Sequence, residues 1–330
     1  MIFNFYSRLE SGHRAEYITF SKLKLGGERV RGLQLLSSRK PLLFLMVEEN
    51  FILYFLVALL RSLFKLKTVG LVFRAKECVV KDTARLKIKF MLFKILKPNK
   101  MVTSLSIVPF FVAPELCEIC DDWIYDFQFW DVDFLESTVD DNNVGFALSD
   151  IRDKAKGRKI VCAIGRQDTS KGFDKFIQLY INSAKLRGEF LFVSGGCVSG
   201  VDNVQLRAFE DCGALLWNRR ISDSELVALY GAADVVWACY SPEYNQSSGV
   251  LGRALQYGKS VIVRRGSLME CLASEWSGSS FASLEMPSCE GAESILLKIS
   301  SSERGYERGS ELCSKSMTVL MDSLAGRNNE

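Results

Sequence analysis

The sequence predicts an α/β protein built from two parallel-sheet domains, and three observations carry that reading. Short apolar runs alternate with helical stretches along nearly the whole chain, the pattern that gives parallel sheets with helices on both faces. Runs such as Pro41–Val47 and Lys159–Gly165 are apolar almost end to end, as strands buried on both faces must be. The 330 residues, 48% of them hydrophobic, are enough for two cores of ordinary size.

The elements follow in order. Residues 2–6 read as a first strand, Ser11-Gly12-His13 as the loop after it, and Arg14 to about Leu23 as a helix. Pro41–Val47 is a buried strand, Phe51–Leu63 a helix and Thr68–Phe73 a strand. Asp82 is placed to cap a helix over Thr83–Lys97 that Pro98 ends. Met101–Phe111 is a further strand. The polar, acidic segment Ser137–Asp153 reads as an interdomain linker, which divides the chain into domains 1–150 and 151–330. The second domain predicts strands at Lys159–Gly165, Phe190–Ser194, Val235–Cys239 and Ser260–Val263. Helices fall at Phe173–Leu186, Ser222–Ala232, Val250–Tyr257 and Ser302–Leu324.

Composition narrows the function. A net charge of +3 excludes a strongly cationic nucleic-acid binder. The ten cysteines are scattered, and Cys117-x-x-Cys120 lacks a second pair and a nearby histidine, which argues against zinc. Cys162, Cys197 and Cys239 lie in or beside apolar runs, where a thiol acts as a small hydrophobe. Reduced cysteines and an N-terminus without a signal peptide predict a cytoplasmic protein.

Chemistry concentrates in two stretches. Lys159-Ile-Val-Cys-Ala-Ile-Gly165-Arg166 ends a strand in Gly-Arg, and Lys171-Gly172 opens the next helix. Two cations at a strand-to-helix turn suit a diphosphate, because helix amides and fixed positive side chains both favour oxyanions. The second stretch places Tyr240-Ser-Pro-Glu-Tyr-Asn-Gln-Ser-Ser-Gly249 between a strand and a helix that begins at Val250. Ser and Asn are good N-caps, and Gly249 permits close backbone approach. A plain capped helix fits Ser-Ser-Gly alone equally well; Arg166 and Lys171, preceding it in this order, favour an anion site.

Over roughly Lys159 to Glu275 these residues resemble the donor-binding half of a glycosyltransferase of the GT-B class, in the large retaining nucleotide-sugar family known as family 4 or group 1. Gly165-Arg166-x4-Lys171-Gly172 matches that family's element in spacing, and Gly266-Ser-Leu-Met-Glu270 resembles its Gly-Gly-x-Pro-Glu turn. The family's Glu-x7-Glu signature is absent: Asn245 stands at the first position and Arg253 at the second. The resemblance implies two Rossmann-like domains facing across a cleft. The first would serve the acceptor, the second would bind the nucleotide-sugar, and the last helix would pack back on the first domain.

The resemblance also implies a function. A sugar would move, with retention, from a nucleotide diphosphate-sugar to a carbohydrate or lipid-linked acceptor, in cell-surface polysaccharide synthesis at the inner face of the cell membrane. Arg166, Lys171, Glu243, Tyr244, Asn245, Ser247, Ser248, Gly249 and Val250, with Gly12 from the first domain, are the expected donor contacts. His13 and Asn245 are the expected catalytic groups. No cofactor or metal is expected, since Asp131-Val-Asp133 lies in the wrong half. A degenerate binding subunit and a nucleotide-sugar epimerase remain as alternatives.

Two further segments stand out. The run Cys120–Asp131 mixes carboxylates with aromatics and reads either as a sugar-binding wall or as packing beneath a cleft. The predicted helix Thr83–Lys97 carries two apolar stripes. Ile88, Met91, Leu92 and Ile95 are expected in the core. Leu86, Phe90 and Phe93, flanked by Lys87, Lys94 and Lys97, are expected outward, against a membrane surface with Arg61, Lys65 and Lys67 beside them. A helix sandwiched in the fold with snorkelling lysines is the competing reading.

Overall fold

Parallel strand pairing organises the chain in the computed structural model, which describes residues 2–10, 13–74, 78–79, 81–276, 281–286, 288, 291–299 and 305–327. The described strands of the first sheet are β1 (Asn4–Tyr6), β2 (Glu28–Arg29), β3 (Leu42–Phe44), β4 (Thr68–Val72), β5 (Val102–Ser106) and β6 (Asp122–Trp123). Those of the second are β7 (Lys159–Ile164), β8 (Phe190–Gly195), β9 (Leu215–Trp217), β10 (Val235–Ala238), β11 (Ser260–Arg264) and β12 (Phe281–Leu284). The orders are β2-β1-β3-β4-β5-β6 and β12-β11-β10-β7-β8-β9. In each sheet the strand order reverses beside the first strand, between β1 and β3 and between β7 and β10. Open α/β sheets bind ligands outside the carboxyl ends of their strands at such reversals.

The chain divides into one unit of Met1–Phe127 with Leu312–Glu330 and a second of Gln128–Glu311. The division falls earlier than the sequence indicated. Most of the expected linker Ser137–Asp153 is instead the helix Asp141–Ala155, which belongs to the second unit. Asp140 caps it through the Asn142 amide at 2.9 Å, and Ala147, Ile151 and Ala155 are buried at i, i+4 and i+8. Two of the three buried residues are alanines in an acidic surround, so the apolar stripe is faint in the sequence.

In the first unit, Tyr54 of helix Phe51–Leu63 lies over β4, and a Cβ at Gly70 would collide with its ring. Its hydroxyl pairs with Ser104 Oγ of β5 at 3.1 Å. Arg61 of the same helix points inward and is 1% exposed. Its guanidinium donates to the carbonyls of Leu35, Ser38, Lys40 and Lys67 and to Thr68 Oγ1. Ser316, on the helix Gly305–Ala325, accepts from the Tyr125 amide at 3.2 Å.

The stripes of the next helix, Ala84–Leu96, face opposite to expectation. Phe93 and Leu96 are buried, whereas Ile88, Met91 and Ile95 are exposed. Phe93 packs on Phe51 with ring centroids 4.7 Å apart, and the aromatic side chain takes the inward position because it fills the space between the two helices. Arg61 and Lys67 also leave the expected surface patch. Arg61 is the buried hub just described, and Lys67 Nζ donates to the Lys100 carbonyl at 3.0 Å. Lys97 likewise turns inward, onto the carbonyls of Cys117 and Cys120.

The second unit centres on aromatic side chains between sheet and helix. Phe173, Phe176, Ile177 and Tyr180 of helix Phe173–Asn182 pack on Phe192, Phe209 and Trp237. Phe176 stacks on Phe192 at 4.7 Å, and Tyr180 does so at 4.6 Å. That packing holds the start of the helix beside the carboxyl end of β7. Sequence reasoning missed β2, β6, β9 and β12, the short outermost strands of the two sheets, which carry little periodicity.

Candidate functional site

The candidate site is the junction of the loops after β7 and β10, at the strand reversal within the second unit. Strand β7 ends at Ile164, and Gly165 follows with φ +84, a left-handed conformation that turns the chain. The Gly165 amide donates to the Gly195 carbonyl at 2.8 Å. A Cβ on Gly196, whose φ is +140, would collide with the Gly165 carbonyl. The loops after β7 and β8 therefore approach backbone to backbone, and Gln167 bridges to Val198 in parallel register.

The cations occupy this turn. Arg166 is largely exposed, with Nε 3.7 Å from Asp168 Oδ2 and Nη2 3.4 Å from Ser199 Oγ. Asp168 caps a short 3-10 turn, Thr169–Lys171, accepting from the Lys171 amide. Gly172 follows with φ +64, and a Cβ there would strike the Cys239 carbonyl at the end of β10. The Ser241 amide donates to the Ser170 carbonyl at 3.0 Å. Glycine at 172 and this hydrogen bond together bring the β10 loop onto the β7 turn.

Lys171 reaches across that junction. Its Nζ lies 3.9 Å from the Tyr240 ring centroid and 3.7 Å from that of Tyr244. The two rings meet edge to face at 5.0 Å. Burial in this cage pushes the Lys171 ammonium down to about 7, and nearby Asp168 opposes the shift. The ring faces offset part of its lost hydration. The amine thus changes charge near neutral pH, and an arriving anion would favour its protonated form, with the proton taken up from solvent.

The rest of the loop has mainly internal duties. Asn245 Oδ1 accepts from the Leu268 amide at 2.9 Å, at the start of helix Leu268–Glu275, which Ser267 also caps. Ser248 is buried with its Oγ 3.2 Å from the Tyr240 hydroxyl and makes no cap bond to its own helix, Gly249–Gln256. The space beside Gly249 is filled by the Gln128 side chain, with which a Cβ would collide. Val250 is half-buried beside Gly165. Ser247 and Tyr244 are half-buried, and Glu243 is exposed and accepts from Ser241 Oγ.

Arg253 forms a buried ion pair with Asp131. Its Nη2 lies 2.6 Å from Asp131 Oδ2, and the side chains are 6% and 8% exposed. Gln256 completes the clamp by donating to the Gln128 carbonyl and accepting from the Val132 amide. This network ties residues 128–132 to the helix Gly249–Gln256. The acidic-aromatic run thus ends in a packing role, and Asp131 is committed to Arg253.

The structure brings Lys171, Tyr240 and Tyr244 together, leaves Arg166 on the same turn beside Asp168 and Ser199, and turns Asn245 and Ser248 to internal bonds. Tyr240 was missed by sequence reasoning; its place two residues past β10 was the available signal. In the first unit, Gly12 lies outside the described residues, and His13 opens the helix His13–Leu23 with its side chain outside them. Among the described residues no group of three or more His, Cys, Asp or Glu is placed to hold a metal ion.

No family model and no curated protein matches the chain. Solved structures do. A trehalose-phosphate synthase (UDP-forming) from Burkholderia xenovorans, in complex with glucose-6-phosphate, aligns with TM-score 0.56 at 12% identity, over 89% of this chain and 74% of that one. The trehalose-6-phosphate phosphatase N-terminal domain of Candida albicans gives 0.57 at 10%, over 97% and 78%. A sucrose-phosphate synthase from Thermosynechococcus elongatus gives 0.53 at 14%, over 86% and 72%. Likeness at these identities shows the fold: the chain has the two-domain GT-B fold.

Proposed function

We propose that the protein is a glycosyltransferase that takes a sugar from a nucleotide diphosphate-sugar and passes it to a carbohydrate or lipid-linked acceptor. The observation that carries this reading is the placement of Arg166 and Lys171 on one strand-to-helix turn at the β7/β10 reversal, with Asp168 beside both. A fold whose likenesses include a UDP-forming and a sucrose-phosphate synthase adds support.

The chemistry follows from the charges. Cleavage of the glycosidic bond leaves negative charge on the departing diphosphate. Arg166, exposed at the rim, supplies a fork of N–H donors that matches phosphate oxygens. Lys171 supplies a second cation once the bound anion raises its pKa and it takes up a proton from solvent, and both stabilise charge where it develops. Glu243, Tyr244 and Ser247 border the clamp as further donor contacts. Asn245, Ser248, Gly249 and Val250 shape the loop, and His13 serves the acceptor side. The acceptor, retention and a role in polysaccharide synthesis belong to this proposal.

A second reading has its own support. Both positions of the family's carboxylate signature hold groups with structural partners, Asn245 on the Leu268 amide and Arg253 on Asp131. A binding subunit that retains the diphosphate clamp without turnover fits that observation. A thermal-shift panel of nucleoside diphosphates and their sugars, followed by single-turnover transfer to a membrane-extract acceptor, separates the two. Transfer supports the enzyme; donor binding without transfer to any acceptor replaces it with the binding subunit.

A further inference from the structure

The helix Phe51–Leu63 is built inside out. Its one charged residue, Arg61, is buried, and its outward half holds only apolar side chains. Ile52, Leu56, Leu60 and Leu63 recur at i, i+4, i+8 and i+11, and all four are exposed, with Phe64 just past the end. Leu63 and Phe64 are 76% and 74% exposed. Helix Ala84–Leu96 packs beside it through Phe51 and Phe93 and adds exposed Ile88, Met91 and Ile95. Two neighbouring helices that each expose an apolar stripe mark an interaction surface rather than a solvated one.

The surrounding charge identifies the occupant. Neither helix contains an acidic residue. Arg85 lies on one flank of the Ile88–Met91–Ile95 stripe, and Lys87 and Lys94 lie on the other, all exposed. Lys65 adds a cation at the end of the first helix. Lys94 pairs weakly with exposed Glu118 at 3.7 Å and lies over the Phe90 ring. A second copy of this chain docking here by twofold symmetry would set the same cations against each other. An anionic bilayer accepts both the apolar side chains and the flanking cations.

We propose that this face, formed by Ile52, Leu56, Leu60, Leu63 and Phe64 with Ile88, Met91 and Ile95, seats the first unit on an anionic lipid surface. No described helix is long and apolar enough to cross a membrane, so the contact is interfacial. The proposal rests on the transferase reading only in giving that enzyme a membrane-borne acceptor, and lipid binding is read without donor or turnover.

The test is co-sedimentation of the full chain with vesicles of phosphatidylcholine alone or mixed with phosphatidylglycerol. Wild type is expected to pellet with the anionic vesicles, and less so as salt rises. Leu63→Ser with Phe64→Ser should lower the partition coefficient roughly tenfold or more, and Arg85→Glu with Lys87→Glu should do likewise. All four positions are exposed, so thermal melts should match wild type. Wild type that ignores anionic vesicles overturns the proposal. So does undiminished binding by both double variants, or a dimer in sedimentation velocity that the Leu63/Phe64 variant dissolves while vesicle binding is absent.

Discussion

In the proposed function the chemistry turns on Lys171, because burial holds its ammonium near 7 rather than at its ordinary 10.5. Between those values the folded protein keeps the amine neutral while the unfolded chain binds a proton. Its contribution to stability therefore rises with pH across that window. Ligand linkage runs the other way. A diphosphate bound beside Lys171 would raise its pKa, so binding would take up a proton and affinity would fall as pH rises above about 7. Calorimetry at pH 8 in two buffers of different ionisation enthalpy should show that uptake in wild type and its loss in Lys171→Met.

Arg253 offers a second residue-scale test. Removing one member of a buried ion pair leaves the other charge uncompensated, at a cost of about 3–5 kcal/mol. Arg253→Ala should lower the urea midpoint accordingly, and Arg253→Met with Asp131→Leu should recover most of the loss. Equal destabilisation by the single and double variants would mean that the pair is not what holds residues 128–132 on the helix. Residue chemistry was only partly legible in the sequence. The Gly165-Arg166-x4-Lys171-Gly172 element announced its strand end and its cations. Nothing local to Asn245 revealed that its side chain reaches the Leu268 amide, because that bond spans 23 residues.

At the scale of elements, the loop after β10 is tied to its surroundings at both ends. Asn245→Ala removes an acceptor from the first turn of Leu268–Glu275 and should cost about 1 kcal/mol. Asn245→Asp keeps the acceptor and suits the positive end of the helix, so its melt should stay close to wild type. A matching loss in both variants would assign Asn245 some other role. Helices and strands with full apolar stripes were legible; β8 appears where periodicity placed it, and the helix expected over Phe173–Leu186 starts as expected but ends at Asn182, where Ser183 caps a second helix, Ala184–Glu189. Ala84–Leu96 shows the limit of that signal. Both its stripes are apolar, so periodicity alone could not choose between them, and the aromatic contact of Phe93 with Phe51 decides which faces in.

Across the whole molecule, two parallel sheets each reverse beside their first strand, and the second reversal collects the cations, the tyrosine cage and the glycine turns. The α/β class was readable from the buried strand runs. The division between Phe127 and Gln128 was not, since no break in composition marks it and the apparent linker is a capped helix. The core of the second unit depends on its aromatic stack, and Phe176→Ala should cost about 3–5 kcal/mol, seen as an early melt of that unit. An unchanged melt would place the stability elsewhere.

In the proposed function Arg166 and Lys171 clamp a diphosphate. Titration calorimetry of UDP and of uridine, as probes, against wild type, Arg166→Ala and Lys171→Ala tests it most directly. Each substitution should weaken UDP binding by about 1.5–3 kcal/mol, the worth of a charge-assisted contact, and leave uridine binding nearly unchanged. UDP affinity unaltered in both variants, or equal losses for UDP and uridine, would contradict the clamp.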